Sequence, residues 1–239
     1  MKLTSINSLL LWLIIFTACS PNRSEDNLKV SKYCANEISL FSVPDSLQSI
    51  KIDYSLKPDS FFNTIANKLN KDLCWKMTSF GLKLNTSEPI KVQLFDKCED
   101  GINRCGFRRP EVRILLNQTG KLMIERDIIP IDSVKYWIYK HFPNSVEYDL
   151  EEISFEWAIE ANKDSIEKVF SNIIDGYLLK YEKLAKVSFS KNICNISKSQ
   201  VDSLKSILPF KVRLGIKRII KLPPIPSSEK LKTKYKLDK

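Results

Sequence analysis

The side chains of this 239-residue sequence best equipped for chemistry are six cysteines, one histidine and a cluster of acids between Glu147 and Glu160. Cys98 and Cys105 flank Glu99-Asp100-Gly101-Ile102-Asn103-Arg104, which reads as a reverse turn, so the pair is expected to form a disulfide. Closing so short a loop contributes on the order of 2 kcal/mol in the chain-entropy account. Setting Cys19 aside, five cysteines remain, an odd number that leaves one free. A second bridge is expected among Cys34, Cys74 and Cys194, with its partners unspecified by spacing. A metal site needs more ligands than lie near any of these, and His141 is remote in sequence. No metal and no other cofactor is expected. His141 falls at a helix end between Lys140 and Phe142, where a surface cation beside the helix C-terminus is the ordinary role.

Glu151, Glu152, Glu156 and Glu160 supply the residue types of a glycoside-hydrolysing carboxylate pair, a chemistry that also requires a cleft. Their spacing has a plainer meaning: Glu152, Glu156 and Glu160 share the solvent face of a strand. Asp96-Lys97-Cys98-Glu99-Asp100 lacks the regular oxygen spacing of a calcium loop. Only 6 glycines are present, and neither a G-x-G-x-x-G nor a P-loop occurs. No catalytic residue is therefore assigned. Trp75, Trp137, Trp157 and Tyr177 all fall on core-facing positions of their elements, which favours packing over carbohydrate binding.

The elements that carry these residues follow from hydrophobic period. Ser49 to Leu56 alternates as a half-buried strand, Lys57-Pro58-Asp59-Ser60 stops it, and Phe61, Phe62, Ile65, Leu69, Leu73 and Met77 line one helical face. Ile90 to Phe95 is a second strand. Val112 to Asn117 and Lys121 to Arg126 form a hairpin around Gln118-Thr119-Gly120. A helix opens at Pro130 and runs to Phe142, where Pro143 ends it. Ile153, Phe155, Trp157 and Ile159 alternate on one strand face, a helix follows Asp164-Ser165, and Lys186 to Ser190 reads as a short strand. Ser197 to Leu208 is a helix and Val212 to Ile220 the last strand. Asp59-Ser60, Asp132-Ser133 and Asp164-Ser165 read as caps that satisfy free N–H groups at helix starts. The expected class is α+β, with small mixed sheets and helices on one face. Ile50–Met77 and Ile153–Leu178 are similar strand–helix units, which leaves an internal duplication open.

The beginning of the chain bears on location. After Lys2, an apolar run of about eight residues extends from Leu9 to Phe16, long enough for a secretory leader and far short of the roughly 20 residues that span a bilayer. Thr17-Ala18-Cys19 follows. The stretch resembles the leader and lipobox of bacterial lipoproteins, with Phe16 where leucine is commonest. That resemblance implies cleavage before Cys19, a diacylglyceryl group on its thiol, and anchoring in a lipid bilayer by more than one acyl chain. Ser20, being non-acidic, implies the outer membrane of a Gram-negative envelope. The plainer alternative is a secretory leader with an incidental cysteine. Residues 1–18 are then leader, 19–30 a polar tether, 31–109 an N-terminal subdomain, 110–221 a second subdomain and 222–239 a Pro/Lys-rich tail.

The formal charge is +10, and outside the cytoplasm it favours anionic lipid, acidic glycan or an acidic protein over nucleic acid. Lys211, Arg213, Lys217, Arg218 and Lys221 are the sequence-level candidates for an anionic-partner surface. Beyond them Lys230, Lys232, Lys234, Lys236 and Lys239 make a basic tail whose plainer reading is solubility.

The order of elements between Val112 and Phe189 is similar to the periplasmic domain of ExbD/TolR-type biopolymer-transport proteins. The residues carrying this are the Asn117–Gly120 turn, Ile131-Asp132-Ser133 and Glu160-Ala161-Asn162-Lys163-Asp164, about a third of the chain. That family carries a transmembrane helix with a proton-responsive aspartate ahead of the domain, and no matching segment follows Cys19. The resemblance implies a docking or dimerising domain against peptidoglycan or an envelope protein, and no motor activity. The expected function is a non-catalytic binding or assembly module. The alternatives are an envelope enzyme with a carboxylate site and an accessory of an energy-coupling transport complex; a solute-binding lipoprotein is disfavoured by size.

Overall fold

A computed structural model describes residues 33–73, 77–84, 89–94, 111–142, 152–217 and 219–222. Cys19, Cys74, Trp75, the expected Cys98–Cys105 bridge, Arg218 and the tail beyond Leu222 lie outside the described residues.

Among the described residues, eight strands form one sheet. In chain order they are β1 (Ser49–Lys51), β2 (Thr78–Lys83), β3 (Ile90–Leu94), β4 (Glu111–Leu116), β5 (Leu122–Ile124), β6 (Asp127–Ile129), β7 (Glu152–Ala158) and β8 (Val212–Lys217). Their spatial order is β1-β2-β3-β8-β7-β4-β5-β6. The four central strands β3, β8, β7 and β4 run parallel, with an antiparallel β2 on one side and the β4-β5-β6 meander on the other. The class is α+β, as the periodicity implies. The segments 31–109 and 110–221 nevertheless build a single sheet: β3 joins β8 through Gln93↔Arg213 and Leu94↔Leu214. Both edge strands, β1 and β6, are three residues long.

Alternation decides which face is core. Val112, Ile114 and Leu116 on β4 sit beside Ile153, Phe155 and Trp157 on β7, which sit beside Val212, Leu214 and Ile216 on β8. All nine are buried, and Val92 and Leu94 of β3 extend the same apolar layer. Successive side chains of a strand point to opposite faces, so the intervening residues form a second, polar face.

Among the described residues, five α-helices accompany the sheet: α1 (Ala35–Phe41), α2 (Pro58–Leu69), α3 (Val134–His141), α4 (Lys163–Phe189) and α5 (Lys198–Ile207). Phe61 of α2 packs edge-on against Trp157 at 5.7 Å, so α2 covers the apolar face. α3 crosses α4 at Gly176, where a Cβ would lie 2.9 Å from Ile138 Cβ and 3.0 Å from the Lys135 carbonyl oxygen. Only a residue without a side chain allows that approach.

The helix expected through Leu73 and Met77 toward Gly81 stops at Leu69, where Asn70 turns left-handed with φ 50°, and Thr78–Lys83 is strand β2 instead, leaving Met77 45% exposed. Local chemistry differs from the sequence reading at three further places. Asn162 caps α4, its Oδ1 accepting from Asp164 N at 2.7 Å, so Asp164 lies inside the first turn. Asp59 likewise lies inside α2, whose cap position is Lys57 with Pro58 following. Asp132 instead accepts an ion pair from Lys168 at 2.9 Å. Second, β6 is an additional strand after the expected hairpin, folded back at Glu125, which has φ 55°. Third, Lys186 to Ser190 is not a strand. α4 continues to Phe189 and stops at Ser190 with φ 54°. A strand would put Val187 and Phe189 on one face. Two helical residues lie about 200° apart instead, leaving Val187 76% exposed while Phe189 packs on the core.

The expected Asn117–Gly120 turn is present. Asn117 Oδ1 accepts from Thr119 N at 3.0 Å and from Lys121 N at 2.8 Å, and Gly120 adopts φ 76°. Among the described residues, no helix is long and apolar enough to cross a membrane.

Candidate functional site

The polar face of the sheet holds the densest assembly of ionisable groups among the described residues. One row crosses four strands as Gln93, Arg213, Ser154 and Arg113. Glu152 lies beside Glu111 two residues earlier, and Glu156 beside Gly215 two residues later. Diagonal neighbours on one sheet face are within reach of long side chains, so these rows interlock. Arg213 Nη2 donates to the Glu111 carboxylate and, at 3.2 Å, to Ser154 Oγ, while its Nε lies 3.8 Å from Glu152 Oε1. Arg113 bridges Glu111 at 3.6 Å and Glu156 at 3.8 Å. Lys217 Nζ lies 2.5 Å from Glu156 Oε2.

Gly215 makes the last contact geometrically possible. A Cβ there would sit 3.1 Å from Glu156 Cγ, so the Glu156 side chain lies across the space a larger residue would fill. Three carboxylates and three cations thus neutralise one another across β4, β7 and β8. Glu152 and Ser154 are buried, Arg113 and Lys217 about two-fifths exposed. Periodicity places Glu152 and Glu156 on the polar face, but Glu152 is not solvated there. Glu160, by contrast, is exposed beyond the end of β7.

Two of the five residues expected to meet an anionic partner belong to this network. Arg213 is held by Glu111 and Glu152, and Lys217 by Glu156. Lys211 is half-buried at the start of β8, its carbonyl accepting from Ile153 N at 3.0 Å, and Lys221 is exposed beyond the strand. Glu111 and Arg113 are missing from the sequence-level site. The signal for them is the alternation Glu111-Val112-Arg113-Ile114, which places both on the face opposite the core.

The second bridge among Cys34, Cys74 and Cys194 joins Cys34 to Cys194 across a separation of 160 residues. Cys34 precedes α1 and Cys194 lies in a 3₁₀ turn (Ile193–Asn195) after α4. Polar contacts surround it. Glu37 accepts from Cys34 N at 2.8 Å, Asn36 Nδ2 donates to the Ile193 and Ile196 carbonyls at 2.8 and 2.9 Å, and Glu182 accepts from Ile193 N at 3.0 Å. Glu37 approaches both sulfurs, a Cys-Cys-Glu grouping that could hold a thiophilic cation only with the bridge open. Tyr33 donates to Asp175 of α4 at 2.7 Å.

Burial shifts three other groups, and hydrogen bonding a fourth. Tyr177, Tyr181 and Tyr54 are pushed well above the ordinary tyrosine range, chiefly because ionisation would leave a charge without water. Tyr181 donates its hydroxyl to the Leu208 carbonyl. Asp53 is held below the usual carboxylate range by the Ser55 hydroxyl, and then by the Ser55 N–H. Of the aromatics expected in the core, Trp157 and Tyr177 are fully buried, while Trp137 is half-buried and stacks on His141 at 4.8 Å. His141 is exposed at the end of α3, its Nδ1 3.1 Å from the Trp137 carbonyl oxygen.

No family model matches this chain, and comparison with curated proteins and with solved structures yields no match either.

Proposed function

We propose that this chain is a lipid-anchored protein of a bacterial cell envelope that serves as a non-catalytic binding or assembly module. The observation that carries the binding half is the self-neutralised face of β4, β7 and β8. A general acid or nucleophile needs a carboxylate able to exchange a proton or attack, and Glu111, Glu152 and Glu156 are each occupied by a guanidinium or an ammonium. Such a lattice fixes side chains in place and presents a patterned polar surface. This disfavours the carboxylate-enzyme alternative. An extracytoplasmic address is supported by the Cys34–Cys194 bridge, because disulfides persist where the surroundings are oxidising. Anchoring rests on the Leu9–Cys19 pattern, with acylated Cys19 as the attachment and peptidoglycan or an envelope protein as the partner.

Labelled palmitate fed to cells is expected to enter the protein, and Cys19→Ala to abolish both the label and sedimentation with membranes. Equal membrane association of Cys19→Ala would overturn the anchor. Crosslinking in intact cells is expected to capture a glycan or protein partner through residues of the β4, β7 and β8 face. Recovery of neither would overturn the binding role.

A further inference from the structure

The helix α3 reads Val-Lys-Tyr-Trp-Ile-Tyr-Lys-His and contains no carboxylate. Val134 and Ile138 are buried, so the opposite side faces outward. That side carries Tyr136, 48% exposed, and Tyr139, 39% exposed, with Lys140 beside them. The neighbouring stripe of α4 adds Leu179, 38% exposed, and Lys183, whose Nζ lies 5.9 Å from the Tyr139 ring centre. Lys135 Nζ lies 5.0 Å from the Tyr136 ring. Nearby acids are engaged elsewhere: Asp132 with Lys168, Asp175 with Tyr33, and Glu182 with Lys186 and Ile193 N. Among the described residues, the patch is therefore apolar and aromatic with cations only.

We propose that this face of α3, with Leu179 and Lys183 of α4, rests on the headgroup layer of an anionic lipid bilayer. The inference rests on the anchored reading above. Tyr and Trp favour the membrane–water boundary because each has an apolar ring and a polar end. Lysines extend their methylene stems along apolar surface and keep the ammonium at the headgroups. A negatively charged leaflet attracts each such cation, about a fivefold change in partitioning per residue. Asp175, which accepts from Tyr33, lies on the same α4 stripe as Leu179 and Lys183. Eight helical residues separate Asp175 from Lys183, about 12 Å. Fourteen steps of chain from Cys19 to Tyr33 reach about 46 Å, enough to let any face approach a bilayer, so the residue types of α3 make the selection.

The acylated protein is reconstituted on phosphatidylcholine vesicles with and without phosphatidylglycerol. Side chains are then oxidised by hydroxyl radicals and read by peptide mass spectrometry. Tyr136 and Tyr139 are expected to oxidise about fivefold more slowly on the anionic vesicles, with Met77 and Ile219 unchanged as exposed comparators. A Lys135→Gln/Lys140→Gln/Lys183→Gln variant is expected to keep its palmitate and vesicle association while losing that protection. Equal oxidation of Tyr136 and Tyr139 on both vesicle types, with the protein still bound, would overturn this face and leave the anchor standing. Protein that carries no palmitate and does not sediment with vesicles overturns the anchor, and this inference with it.

Discussion

Replacing both Cys34 and Cys194 by serine removes a covalent link that closes most of the chain from Tyr33 onward on itself. With a separation of 160 residues, the chain-entropy relation gives about 5 kcal/mol of stabilisation at room temperature, at the top of the range that native disulfides contribute. The folded state keeps several contacts at that place without the bond. Asn36 still reaches the Ile193 and Ile196 carbonyls, and Tyr33 still reaches Asp175. Leu40 and Phe41 of α1 remain buried, Phe41 against Phe210 at 4.9 Å. The effect is therefore exerted mainly on the unfolded chain, which gains freedom, and a loss of about 3–5 kcal/mol is expected. For a domain whose total stability is about 5–15 kcal/mol, that moves a urea midpoint by a large fraction of its value. Urea unfolding followed by circular dichroism measures it. The double variant is the right perturbation, because a reductant also acts on any bridge between Cys98 and Cys105. A variant within about 1 kcal/mol of the parent, with native spectra, would refute the argument that this long loop is what the bond constrains.

Gly176→Ala gains up to about 1 kcal/mol in helix propensity but forces a methyl against Ile138 and the Lys135 carbonyl; overpacking of about 1–3 kcal/mol wins, and calorimetry is expected to show a lower Tm. Arg213→Met leaves Glu111 and buried Glu152 short of a cation, a loss of about 2 kcal/mol after allowance for partial exposure, whereas Lys211→Gln is expected to stay within about 0.5 kcal/mol. In alkali, Tyr54, Tyr177 and Tyr181 hold their protons to higher pH folded than unfolded. Their raised values mean that stability is undiminished below the unfolded value near 10 and falls above it, by up to about 4 kcal/mol per pH unit for the three. Tyrosinate absorbance should accordingly appear in two steps, with these three released only on unfolding.

Short-range pattern made much of the fold legible. The alternation at Val112–Leu116, Ile153–Trp157 and Val212–Ile216 identifies three strands and their buried faces, because one face of each must leave water. The Asn117 turn is readable for a similar reason: an Asn followed by Gly closes its own hydrogen bonds locally. The order of the sheet is not local. β3 and β8 lie far apart in the chain and meet through two residue pairs, a contact no window of sequence contains. The partner of Cys34 is hidden for the same reason. The last turn of α4 is misread because Lys186-Val187-Ser188-Phe189 alternates over too few residues to separate a strand from a helix end. Of the charged lattice, β7 announces its acids and β8 its cations. That they cancel depends on three strands lying side by side.

The sheet ends on each side in a strand only three residues long. Under the anchor proposed above, a protein confined to a surface would meet copies of itself far more often than one free in solution, and always in related orientations. Long exposed margins would then recruit one another strand by strand into a growing ribbon. Margins this brief offer too few unsatisfied backbone groups to hold a newcomer in register, so neighbours can crowd together and still part.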